Sequence, residues 1–235
     1  YNLNEVYARE GLEIVRRIFP HDQAEHVSML RRLGRTLAAL NRSAEAEAAF
    51  REAFAKGLEI ADARIDQAIQ GLDRLLVLAG RSEEAAALWQ QMIDRCAQLS
   101  TTQEAGVFVT HTVGALNRVG RFALAEALAR EHLARWEAKA PDDWHVFAFR
   151  TLLGIALARQ QKFAAAEPLL LAGVPGLRER IEQMPPTVHA ELKQPFRHVA
   201  ELYQRWGKPE LAAEWQRKHT EMQGAPARTA VVREP

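Results

Sequence analysis

Eight histidines and one cysteine hold most of the chain's capacity for metal or nucleophilic chemistry, and their spacing argues against using it. The nearest approach to a metal set is "HDQAEH", with His21, Asp22, Glu25 and His26 close in sequence. His21 and Asp22 fall in a predicted turn, and neither an HExxH motif nor a His-x-x-x-His pair occurs, so the cluster reads as solvated turn residues. GxSxG, P-loop and GxGxxG signatures are absent, as are a kinase HRD or DFG. Cys96 has no activating neighbours at helical spacing and reads as a small core residue. "NRS" at Asn41 matches a glycosylation sequon but lies in a turn that recurs along the chain. These observations predict no enzyme, no cofactor and no metal.

The elements that carry these residues are helices. The 235 residues are 48% hydrophobic and 26% charged, ordinary for a folded chain able to bury a core. Sustained alternation of β-branched and polar residues is missing, while Ala, Leu, Glu, Arg and Gln dominate. Five stretches share one pattern: "LNRSAEAEAAF", "AGRSEEAAALW", "VGRFALAEALA", "QQKFAAAEPLL" and "WGKPELAAEWQ". Each holds a small residue in the same column: Ala46, Ala85, Ala125, Ala166 and Ala212. Five positions earlier stand Asn41, Gly80, Gly120, Gln161 and Gly207, four of them tolerant of the left-handed backbone that closes a helix. A cation follows each time (Arg42, Arg81, Arg121, Lys162, Lys208), placed to complement the negative end of the preceding helix. Ser43 and Ser82 are expected as N-caps and Pro209 as a first-turn residue.

Apolar stripes fill the intervals, such as Leu30, Leu33 and Leu37, or Ile69, Leu72 and Leu76. The pattern predicts eleven helices, over 2–18, 23–40, 43–59, 61–79, 82–98, 102–119, 122–138, 142–160, 163–182, 187–206 and 209–222. The first is the second helix of a truncated repeat at 1–20, and Tyr1 in place of Met suggests a piece of a longer protein. Units then follow over about 23–60, 61–100, 101–140, 142–183 and 187–222, with an extended tail at 224–235. Pro168, inside the ninth helix, predicts a bend or a loosened first turn.

In "MLRRLGRTLAALNRSAEAEAAFREAF", Leu33, Gly34, Leu37, Ala46, Phe50 and Ala53 stand at the spacing of the tetratricopeptide repeat (TPR) family, which the chain resembles. "TLLGIALARQQKFAAAEPLL" repeats the match with Leu153, Gly154, Leu157 and Ala166. Asp73, Val113 and Ala200 replace the usual Gly in the other units. The units exceed the standard 34 residues, which is similar to the TPR of the kinesin light chain type. The stretch from "AEALAREHLARW" through "YQRWGKPELAAEWQRK" resembles the C-terminal TPR region of large bacterial serine/threonine protein kinases. The resemblance implies an all-α, right-handed α-solenoid of helix-turn-helix repeats whose first helices line a concave groove.

Carried over column by column, that geometry puts Arg31, Arg32, Arg35, Gln70, Arg74, His111, Asn117, Arg118, Arg159, Arg197, His198 and Arg205 on the inner face. Glu201 is the one acid expected among them. With net charge +1, no global field recruits nucleic acid or membrane, but this local segregation predicts a basic groove. The expected ligand is an acidic protein or peptide, bound by a non-catalytic scaffold in a recruitment or regulatory region of a larger protein. The alternative is a sensor of a small ligand or short signalling peptide, with Val77, Leu78, Leu152 and Ile155 supplying apolar contacts. The lone cysteine excludes an internal disulfide framework, and no apolar run reaches membrane-spanning length; a cytoplasmic setting is expected.

Overall fold

A computed structural model of the chain describes residues 3–186, Val188 and 195–224. Its described residues form eleven α-helices: α1 (Leu3–Ile18), α2 (Gln23–Ala39), α3 (Ser43–Glu59), α4 (Ile65–Leu78), α5 (Ser82–Gln98), α6 (Gln103–Arg118), α7 (Phe122–Lys139), α8 (Trp144–Arg159), α9 (Phe163–Glu179), α10 (Pro195–Arg205) and α11 (Pro209–Gly224). A short 3₁₀ turn, Ile181–Gln183, follows α9. The start of the expected 187–206 helix and the expected tail lie outside the described residues.

Consecutive helices pack as hairpins, and α2, α4, α6, α8 and α10 also pack one on the next. Their partners α3, α5, α7 and α9 have no comparable backbone approach to each other. The first helices therefore crowd along one side of a two-layer helical-repeat stack.

The recurring turn has one backbone geometry. Asn41, Gly80, Gly120, Gln161 and Gly207 all adopt positive φ, between 59° and 82°. In each case the following cation's N–H bonds to a carbonyl five residues back: Arg42 to Leu37, Arg81 to Leu76, Arg121 to Leu116, Lys162 to Leu157 and Lys208 to Tyr203. This is the six-to-one bond that closes a helix with a left-handed residue. Gln161 takes the strained conformation despite its Cβ. The repeat column outweighs local preference there.

The turn cations do more than face a helix end. Arg42 pairs with Glu5 and Glu45, Arg81 with Glu47 and Glu84, and Lys162 with Glu126, tying these three turns to the second helix of the unit before each. Lys162, then Arg130 and Gln160, hold the Glu126 carboxyl down to about 2. Ser43 and Ser82 are the first helical residues, not N-caps; Arg42 and Arg81 hold the cap positions without a side-chain cap bond. Among helices α2 to α9, Asp22, Thr102 and Asp143 supply side-chain caps. Helix α4 begins four residues later than its periodicity suggested, because Ala61 turns left-handed at φ 52° and Asp62 binds the Arg64 N–H. Helix α9 runs unbroken through Pro168 and Pro175, and Ala166 N still bonds to Lys162 O at 3.1 Å, so its first turn is intact.

The column residues set how closely hairpins pack. Ala46, Ala85, Ala125 and Ala166 are wholly buried, and Ala212 is packed at the edge of the core. A Cβ on Gly34 would meet the Phe50 ring at 2.7 Å, and one on Gly71 would meet its other edge at 2.6 Å. The Phe50 ring is thus wedged between α2 and α4 and fixes their approach. Where Asp73 replaces the glycine, it accepts from Trp89 Nε1 at 2.8 Å and pairs with Arg121 at 2.6 Å. The larger indole in that unit is satisfied by a carboxylate instead of being admitted by a glycine.

Candidate functional site: the first-helix face

The predicted inner-face residues fall into three groups. At the first end, Arg31, Arg32 and Arg35 line an open groove of about 600 Å³ with Tyr7, Met29 and Thr36. Arg31 is half-buried and bonds to Gln67 on α4, while its Nε is buried without a partner. Burial pulls the Arg31 guanidinium below its ordinary range, opposed by the charge of Asp66. Arg32 and Arg35 are exposed and face no carboxylate among the described residues, and Arg74 on α4 is in the same state.

The middle group is a closed network around a residue the sequence reading left out. Asp66, 5% exposed, pairs with Arg118 on α6 at 2.9 Å and lies 3.8 Å from His111 Nδ1. Gln70 donates to the Asp66 carbonyl and accepts from Arg118 Nε. The expectation that Glu201 would be the one acid on this face is therefore corrected. Asp66 sits one turn inside the predicted column, where helical spacing alone made it a first-turn acid. His111 is buried, and Asn117 donates to the Leu152 carbonyl across to α8, so both face inward.

The third group surrounds Glu201 on α10. His198, 3.8 Å away, and Arg197, at 2.7 Å, hold its carboxyl down to about 2. Arg159 on α8 reaches the same carboxylate at 3.3 Å. Arg205 is exposed at the rim of this cluster.

The four residues named for an apolar pocket differ in burial. Leu152 is in the core and Ile155 is half-buried, whereas Val77 and Leu78 are 46% and 76% exposed. Cys96 is wholly buried beside Thr112, and burial pushes its thiol up to about 12. No group of His, Cys, Asp and Glu among the described residues could hold a metal ion, and no helix there is long and apolar enough to cross a membrane.

Fold and face together define an all-α helical-repeat protein with a polar, arginine-bearing first-helix layer. Among solved structures, it is similar to the crystal structure of BtubC (BKLC) from P. vanneervenii, with a TM-score of 0.59 over 99% of this chain and 97% of that one. Sequence identity is 19%, so the likeness concerns the fold. No family model and no curated protein matches the chain.

Proposed function

We propose that the chain is a non-catalytic scaffold of the TPR type that binds an acidic, extended peptide along its first-helix face. The carrying observation is the unpaired state of Arg32, Arg35 and Arg74 on a chain where most arginines are matched to carboxylates. Unpaired guanidiniums on neighbouring helices offer forked donors to carboxylates at little cost, because no internal ion pair must first break. Arg118 and Arg159 contribute less, since Asp66 and Glu201 already occupy them. The TPR reading rests on the glycine and alanine columns that admit Phe50 and Leu170 between helices. Recruitment of substrates or regulators within a larger protein, a kinase by resemblance, is the role we assign to such a module.

The test is fluorescence anisotropy with a labelled glutamate-rich peptide, repeated with a lysine-rich peptide of equal length. Binding of the acidic peptide alone, weakening with salt and lost in Arg35→Glu and Arg74→Glu variants, supports the reading. Equal binding of both peptides, or indifference to the substitutions, overturns it.

A further inference from the structure

Counted back from the recurring turn, one column of the first helices reads Arg35, Arg74, Gly114, Ile155 and Glu201. Two consecutive helices thus present a cation at the same height. Both arginines are exposed without a carboxylate partner, and Arg74 remains so although α2 packs against its helix. Their separation is held by the Phe50 ring between Gly34 and Gly71 and by the Arg31–Gln67 bond, both bridging α2 and α4. After that the column turns uncharged at Gly114, half-buried and apolar at Ile155, and acidic at Glu201.

From this column we infer that the face reads a spacing: two acidic side chains at i and i+3 of a polyproline-like segment running along the stack, one on Arg35 and one on Arg74. Packed helices lie about 8–10 Å apart axis to axis. A polyproline II strand repeats every three residues and rises about 9.3 Å in doing so, returning its side chains to the same face. A fully extended strand returns every two residues, after about 7 Å, which falls short of one helix spacing. The repeat of the protein and the repeat of the ligand coincide only in the first case. At the next height the column holds Gly114, which is buried and bears no side chain, so a third acid at i+6 meets no cation of this column.

The inference rests on the groove reading proposed above and is tested so that the two can fail separately. The probes are proline-rich decapeptides with two glutamates at i and i+2, i and i+3, or i and i+4, and a fourth with glutamates at i, i+3 and i+6. The i,i+3 peptide is expected to bind about fivefold more tightly than its isomers, on the scale of one exposed ion pair. The i+6 acid is expected to add less than twofold. Arg35→Glu and Arg74→Glu are each expected to erase the spacing preference, while Arg178→Glu, an exposed change on α9, preserves it. Circular dichroism on each variant separates lost binding from lost fold. Affinity that follows glutamate number and ignores spacing overturns the inference and leaves the groove reading standing. Binding of none of the peptides overturns both.

Discussion

Replacing Asp66 with Asn should loosen the fold and tighten the grip on an acidic ligand at once. Asp66 is buried, accepts from Arg118 at 2.9 Å and sits near His111 and Arg31. Asparagine keeps the shape and one acceptor but removes the charge. A charge-assisted bond then becomes an ordinary one, a loss of about 1–2 kcal/mol, at the low end for a buried pair because Arg118 can reach solvent. For a chain of this size that lowers the melting temperature by about 2–8 °C. The same change removes a negative charge from the face that would receive the ligand. A ligand carboxylate about 8 Å away feels about 0.5 kcal/mol in water and about 2 kcal/mol at an effective dielectric of 20. Affinity for a glutamate-rich peptide should therefore rise between twofold and about thirtyfold at low salt, with the gain shrinking as salt is added. Thermal denaturation and anisotropy titration on the same preparation read both signs. A variant that melts lower but binds the peptide no better, or more weakly, would refute the assignment of this face as the acid-binding one.

Other outcomes follow from single positions. Gln161→Gly should raise stability by about 1 kcal/mol, read by thermal melting, because Gln161 holds φ 63° against its Cβ. Asp73→Gly restores the residue the repeat usually has, yet should cost about 1–3 kcal/mol in chemical denaturation, since it strands the Trp89 N–H that Asp73 accepts at 2.8 Å. His132 is buried and its imidazole is pulled down to about 4, chiefly by desolvation, so the unfolded chain takes up that proton at higher pH than the folded one. Stability should hold above an ordinary histidine pKa near 6.5, decline as pH falls towards 4, and decline less over that window in His132→Gln.

The architecture was legible because helix closure has a local chemistry. A left-handed residue, a cation and a constant alanine recur at each hairpin, and the structure gives all five turns the same bond pattern. What the chain did not announce lies between helices far apart in sequence. Asp66 reads as an acid in a first helical turn until α6 brings Arg118 to it. The turn cations read as partners of a helix end until the previous unit offers Glu5, Glu47 and Glu126. Ser43 and Ser82 read as caps because their type is right, but the preceding cation takes the cap position within the closing turn. The late start of α4 turns on a left-handed alanine, Ala61, which sequence preference argues against. The arginines of the first helices were found from the repeat columns. Which of them stay unpaired depended on the acids across the layer.

The most direct test of the central claim follows the arginine Nε–Hε resonances by NMR while a glutamate-rich peptide is added. The account predicts that Arg35 and Arg74 shift first and furthest, with Arg178 on the second-helix layer unmoved. Shifts confined to arginines of the second helices, or none at peptide concentrations where binding is measured, would contradict it.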